Sequence, residues 1–225
     1  MEYDNQNKRI FVRQSWLGDA LMCPERARLG LIHPERRGAS DATIMGTAVH
    51  SGIEKFLNTE QMDFSEVVAT SVREWNKLSE EPHKKSSGIN PAEAPRLIEA
   101  MTLGFMEVIA PSVERGGKTE LKFTSPTGLS VDGYDVFLKG TMDYVAPSGV
   151  IWDWKTAKRA YNQKDKQAHS VQASVYAMAV GEMGLCPDPN NIDFRFGIMM
   201  RQSSPKAQIV PVVRTAEHRN WLRDQ

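Results

Sequence analysis

The stretch VIWDWK, residues 150–155, combines an acid and an amine at a spacing that could do chemistry. Two-residue alternation along a strand turns Asp153 and Lys155 to one face and Trp152 and Trp154 to the other. Just upstream, GTMDYVAPSG places Asp143 on the far side of a turn through Ala146, Pro147, Ser148 and Gly149. If Val145 pairs with Ile151, Asp143 stands directly opposite Asp153, on the face that carries Lys155. Pairing of Val145 with Val150 would instead send the two aspartates to opposite faces. Directly opposed carboxylates repel and weaken a sheet. A hard divalent cation between them reverses that sign, and oxygen ligands with open water positions suit Mg²⁺ or Mn²⁺. An ion held by Asp143 and Asp153 can polarise a phosphoryl oxygen and activate a water, with Lys155 orienting the water or stabilising the developing charge. The substrate of such chemistry is a phosphodiester. The plainer reading is an exposed hairpin with a Lys/Asp pair.

The elements around this stretch form an α/β (α+β) pattern. Helical spacing of apolar residues marks SWLGDALMCPERARLGL, which Pro24 should kink or split, and then 43–58, 64–78 and 96–110, the last ended by Pro111. Between them lie a loop with His33, Pro34, Arg36, Arg37 and Gly38, and the segment 79–95, whose turn formers and charges read as a mobile loop. The period then falls to about two. TELKFTS, LSVDGYDVFLKGTMDYVA and GVIWDWKTA read as strands of an antiparallel meander. Residues 166–182 return to a helix, IDFRFGIMMRQ and KAQIVPVVRT form a last hairpin, and a final helix begins at 216. We expect one domain over 1–225, with a helical part at 15–110 and a central mixed sheet at 118–215, flanked by helices. There is no G-x-G-x-x-G and no P-loop, which removes nucleotide-cofactor readings.

Composition narrows the function classes further. The formal net charge is zero, so a nucleic-acid partner must be held by a local patch. Residues 155–166 offer a candidate, with Lys155, Lys158, Arg159, Lys164 and Lys166 against Asp165 for a net of +4, although such a run taken alone reads more often as a solvated face. No apolar run approaches the roughly 18 residues of a membrane span. The polar N-terminus lacks the layout of a secretion signal, so a cytosolic protein is expected. Cys23 and Cys186 form no CxxC pair, which argues against a disulfide framework or a zinc site. Trp16, Trp75, Trp152, Trp154 and Trp221 could stack on unpaired bases, but core packing is the default for Trp152 and Trp154; Met199 and Met200 read as core filling.

GTAVH (46–50), GTMD (140–143), DWK (153–155) and QASVY (172–176), in this order and at these separations, resemble the RecB-like branch of the PD-(D/E)XK nuclease superfamily. The resemblance spans roughly 15–215 and implies a restriction-endonuclease-like core. By position, Asp143 resembles the family's first metal aspartate, Asp153 its second acid and Lys155 its catalytic lysine. His50, otherwise a helix-cap or surface residue, resembles the helix histidine that adds a metal ligand, and its nitrogen would favour Mn²⁺. The backbone carbonyl of Trp154 is expected in the coordination shell. Gln172 and Tyr176, four apart on one helix face, resemble the pair beside the active site that contacts the nucleic-acid backbone or the surroundings of the lysine. Lys158, Arg159, Lys164 and Lys166 become a phosphate track with salt-sensitive binding. Glu120 reads as a strand-edge glutamate, with a place near the metal as the alternative.

One departure stands out. Cys23 lies where iron–sulfur members place their first cluster cysteine, but two cysteines cannot build a four-thiolate cluster. Either the chain is cluster-free or it ends before further ligands; we expect no cluster, with Cys23 a small buried residue. The expected function is a divalent-metal-dependent DNA nuclease, an exonuclease in recombination, repair or phage DNA processing, in a bacterial or phage-infected cell. DNA is the expected partner, joined by a helicase, a recombinase or further copies of the chain. The competing readings are a non-catalytic nucleic-acid-binding module of the same fold, and hydrolysis of a small phosphorylated substrate, which the basic track disfavours.

Overall fold

The structure is a computed structural model, and it describes residues 1–34, 40–60, 63–80 and 89–223. Arg36, Arg37 and Gly38, and residues 81–88 of the 79–95 loop, lie outside the described residues. The described chain forms a mixed sheet with helices on both faces, as its alternating periods predict.

Two strands that the sequence reading missed begin the chain, β1 (Glu2–Asp4) and β2 (Arg9–Arg13). β1 is short and polar and has no apolar alternation to reveal it. β3 (Lys118–Val131), β4 (Tyr134–Val145), β5 (Ile151–Ala157), β6 (Asn191–Met200) and β7 (Ala207–Thr215) follow. The run LSVDGYDVFLKGTMDYVA is therefore not one strand. Asp132 and Gly133 carry φ of 51° and 78°, the paired positive values of a tight hairpin turn, and cut the run into β3 and β4.

The sheet order is β1-β2-β4-β5-β6-β7, with β3 paired to β4. One edge of β4 carries β3 along most of its length. The other edge is shared. Residues 135–139 pair in parallel with β2, whereas β5 joins only through Tyr144↔Trp152 and Val145↔Ile151. Between those ladders, residues 140–143 form a gap along that edge.

Helices α1 (Gln14–Met22) and α2 (Pro24–Ile32) are split at Cys23, because Pro24 cannot donate back into the first helix and instead occupies the first turn of the second. Cys23 is exposed at that junction, a correction to its expected burial. α3 (Asp41–Asn58), α4 (Phe64–Ser79) and α5 (Ala94–Gly104) form the layer on one face; α5 runs on through a π turn (Phe105–Ile109) and a 3₁₀ turn that contains Pro111. Ile53, Ile98, Met101 and Phe105 pack there against Tyr144, Trp152, Trp154 and Met199. On the other face lies α7 (Val171–Glu182). It buries Ala173, Val175, Tyr176 and Ala179 against Ile151, Phe194, Phe196 and Val210. The stretch expected as one helix over 166–182 is two: α6 (Gln163–His169) ends at Ser170, whose side chain caps α7 by accepting from the amide of Ala173. α8 (Ala216–Arg223) closes the described chain. Among the described residues, no helix is long and apolar enough to cross a membrane.

Trp154 and Trp152 stack at 5.4 Å between ring centroids, and the Trp154 indole lies over Gly197 of β6. A Cβ at Gly197 would stand 2.7 Å from that ring, which Phe105 holds from the side. Gly197→Ala is therefore expected to destabilise the protein by about 1–3 kcal/mol, a fall in melting temperature of roughly 2–12 °C in a thermal scan.

Candidate active site

The pairing of Val145 with Ile151 is the register that brings Asp143 opposite Asp153, and the ladder stops at Tyr144↔Trp152, just before the two aspartates meet. Asp143 Oδ2 instead accepts a hydrogen bond from the amide of Trp154 at 2.6 Å. Lys155 forms an ion pair with Asp153 Oδ2, an oxygen that is buried and takes no well-aligned hydrogen bond. Asp153 Oδ1 accepts from the Gln172 side-chain amide at 2.7 Å.

The gap in the sheet admits side chains from both helical layers. α3 starts at Asp41, capped by Ser40, so GTAVH lies wholly within the helix and His50 sits at its middle rather than at its start. A Cβ at Gly46 would stand 3.2 Å from Thr156 Oγ1, so the glycine lets α3 approach β5 closely. One turn on, His50 Nδ1 lies 3.8 Å from Asp143 Oδ2. From the other face, Gln172 also donates to the Tyr176 hydroxyl at 3.2 Å, and that hydroxyl donates to the Thr141 carbonyl at 2.7 Å. The Gln172–Tyr176 pair thus ties α7 to Asp153 on β5 and to the gap segment of β4.

The electrostatics are those of charge held out of water. Burial pushes Asp143 up to about 6, against the opposing pull of the Lys155 charge and the Trp154 amide. Asp153 is raised for the same first reason, with the Asp143 charge adding to it. Burial works against the Lys155 ammonium, but Asp153 and Asp143 outweigh it and its pKa lies above the ordinary lysine value. Burial, reinforced by Lys155, lowers His50 to about 4, so the imidazole is neutral at physiological pH. A neutral imidazole and two carboxylates are a suitable donor set for a divalent cation. Trp154 enters the site through its backbone, whose amide donates to Asp143 Oδ2, while its indole is buried on the opposite face. Among the described residues, no three of His, Cys, Asp or Glu already stand as a preformed metal cluster.

Lys158 and Arg159 follow β5 and are exposed, as is Lys164. None of the three lines the cleft of about 430 Å³ that opens at Lys155; Lys166 does, with Tyr161 and His169. Tyr161 was not foreseen, although an aromatic set among basic residues in KRAYNQK was a usable signal. Its ring carries the Lys166 ammonium at 4.5 Å from the centroid. Glu120 lies across from Asp143 on β3, with a left-handed φ of 46°. Burial raises its pKa and the charge of Glu54 raises it further. Glu54 is one turn beyond His50 on α3, a spacing that could have marked it. Arg214 was also missed. Its buried guanidinium donates to the carbonyls of Lys166, Gln167, Ser170 and Val213 and to Ser174 Oγ, which pins the α6–α7 junction ahead of Gln172.

A PD-(D/E)XK nuclease superfamily model matches residues 14–224, and the chain belongs to that superfamily. Members of this superfamily generally use divalent metals such as Mg²⁺. Among solved structures, the chain resembles a provisionally assigned exonuclease from Eubacterium rectale, at 14% identity and a TM-score of 0.60, over 99% of this chain and 81% of that one. The likeness is one of fold. A second structure, SSO0001, aligns at 12% identity over 80% of this chain and 82% of that one, with a TM-score of 0.31. No curated protein sequence matches the chain.

The shift at Asp143 fixes the sign of a pH effect. Its carboxyl keeps a proton up to about 6 in the folded state but releases it near 3.8 when unfolded. Stability contributed by that proton is present below the lower value and lost as pH rises towards the upper one. In urea titrations with chelator, Asp143→Asn should match or fall below the parent at pH 4 and exceed it at pH 8 by about 1–3 kcal/mol. A variant no more stable at pH 8 than at pH 4, relative to the parent, would show that Asp143 ionises freely.

Proposed function

We propose that this chain is a divalent-metal-dependent deoxyribonuclease of the RecB-like branch, acting as an exonuclease in recombination, repair or phage DNA processing. The observation that carries the reading is the register Val145↔Ile151, which sets Asp143 opposite Asp153 with Lys155 paired to the latter. Asp143, Asp153, neutral His50 and the Trp154 carbonyl would hold a Mg²⁺ or Mn²⁺ ion, which when bound supplies Lewis-acid polarisation of the phosphate and a more acidic water.

The chain's own groups do the remaining work. Lys155 stays protonated under the carboxylates beside it, so it offsets negative charge developing on the phosphate or aligns the attacking water. That water's oxygen forms the new P–O bond as its proton passes to solvent, and the strand oxygen leaves with the bonding pair and takes up a proton from solvent. Gln172 keeps Asp153 Oδ1 occupied, which leaves Oδ2 directed to Lys155. Tyr176 steadies the β4 segment next to Asp143 through the Thr141 carbonyl. Lys158, Arg159, Lys164 and Lys166 contact backbone phosphates and give binding a steep salt dependence. The two cysteines cannot by themselves hold a four-thiolate iron–sulfur cluster, and the proposed reaction uses none. The protein is proposed to work in the cytoplasm, with a helicase, a recombinase or further copies of itself as partners.

End-labelled single- and double-stranded DNA, incubated with Mg²⁺ or Mn²⁺, should be digested to short products by the parent and left intact in chelator. Lys155→Ala should slow cleavage about 10²–10³-fold, and Asp143→Ala at least as much. Salt-sensitive binding without cleavage in either metal would replace the enzyme with a binding module of the same fold.

A further inference from the structure

Three tyrosines that pack into the fold commit their hydroxyls to it. Tyr134 donates to the Asn5 side chain at 3.1 Å, Tyr144 to the Glu114 carbonyl at 2.6 Å and Tyr176 to the Thr141 carbonyl at 2.7 Å. Tyr161 is the exception. Its ring packs against the sheet core, yet among the described residues only its backbone is hydrogen-bonded and its hydroxyl has no partner. A packed tyrosine normally finds a partner for its O–H, so a fixed ring with a free hydroxyl leaves its donor for a group that the chain itself does not supply.

The ring is held from several sides. The Gln208 side chain of β7 makes a reciprocal pair with the Tyr161 backbone, accepting from its amide at 3.0 Å and donating to its carbonyl at 3.2 Å. Phe196 on β6 meets the ring edge to face, at 6.0 Å between centroids and 71° between planes. The Lys166 ammonium lies over the ring at 4.5 Å from its centroid. The face under that ammonium is closed to a stacked base, so the polar group that the side chain offers the cleft is its hydroxyl. The cleft is the one that reaches the buried acid: Lys155 and Gln172, which hold the two oxygens of Asp153, line it together with Tyr161 and Lys166. Burial raises the pKa of the hydroxyl; the Lys155 charge opposes the rise and the Asp153 charge adds to it. The group is thus a protonated donor within electrostatic reach of the site. A phosphodiester that enters the cleft leaves water behind and gains charge on its non-bridging oxygens as the new bond forms. A preorganised donor at such an oxygen stabilises the transition state more than the ground state.

We infer that Tyr161 is a further catalytic residue, whose hydroxyl donates a hydrogen bond to a non-bridging oxygen of the scissile phosphate, and that Gln208 positions it. The inference rests on the nuclease reading above and adds one contact to the reacting group. No proton changes hands in that contact, so the balance of the hydrolysis is unaltered. Gln208 does not line the cleft and acts only through the backbone of Tyr161.

Single-turnover cleavage by the full chain in Mn²⁺ tests this, on labelled DNA whose terminal linkages carry ordinary phosphate or one pure phosphorothioate diastereomer, Rp or Sp. Tyr161→Phe keeps the ring and its contacts with Lys166 and Phe196. It should melt like the parent, bind the same DNA in chelator as the parent does, and cleave the ordinary linkage about 10–100-fold more slowly. Sulfur is a poor hydrogen-bond acceptor, so the slowing it causes in one diastereomer should be lost in Tyr161→Phe, while the effect in the other is unchanged. Gln208→Ala should slow the parent about 3–10-fold and slow Tyr161→Phe no further, as expected of two residues that act as one unit. Cleavage by Tyr161→Phe at the parent rate would overturn the inference and leave the hydroxyl merely solvated. A slowed rate with both sulfur effects unchanged, or a fall in binding that accounts for the fall in rate, would equally overturn it. Further slowing in the double variant would remove Gln208 from the positioning role. Failure of the nuclease reading shows differently, as absence of cleavage by the parent itself.

Discussion

The site depends on two carboxylates that the sheet register forces to face each other. Asp143 and Asp153 occupy the position where the β4–β5 ladder would continue, and that ladder stops one pair earlier. Like charges opposed across a sheet weaken it, and burial raises the cost. The structure offsets the repulsion locally with the Lys155 ammonium, the Trp154 amide and the Gln172 side chain. Each of these groups is itself fixed by the same strands and helix, so the charges and their supports form one unit.

The parting of β4 from β5 also explains why two helical layers can serve one site. A continuous ladder would have screened α3 from α7. With the edge of β4 left to β2 on one side and to two pairs with β5 on the other, His50 enters from one layer and Gln172 from the other. The distances are set by residues remote from the chemistry. Gly46 lets α3 approach Thr156, and Arg214 gathers the carbonyls at the α6–α7 junction with all five of its N–H donors. A buried guanidinium satisfied by carbonyls and a hydroxyl behaves as a clamp, because each carbonyl it releases would be left unpaired in the interior.

Much of this was legible in the sequence wherever one pattern had a single physical solution. The alternation in VIWDWK sets the two tryptophans on one face and the acid and amine on the other, with core packing the default for the tryptophans, and the structure buries Trp152 and Trp154. The register was legible only as a choice between two pairings, since both kept a short turn. His50, which read on its own as a helix-cap or surface residue, lies mid-helix, and Gly46 serves close packing in the second turn of a helix that Ser40 begins. The break at Ser170 and the turn at Asp132-Gly133 were hidden for a related reason. Apolar periodicity runs on through both, and only the capping and turn chemistry of those residues interrupts it. Arg214 could not be placed from sequence, since the α6–α7 groups it holds lie more than 30 residues away in the chain.

A zero net charge is compatible with a nucleic-acid site once the local arrangement is considered. The acids at the site are deep, raised in pKa by burial and covered by Lys155, whereas Lys158, Arg159 and Lys164 are exposed. An approaching polyanion therefore meets the cations before it meets the carboxylates. The order matters because screening removes interactions beyond about 8–10 Å at physiological salt, so only the nearest charges steer. Close to the site, the same desolvation that raises Asp143 and Asp153 strengthens every interaction that replaces the lost water. The carboxylates are costly to keep in the folded chain, and that cost is what makes them receptive to a cation: an interior already neutral would have little to gain from one.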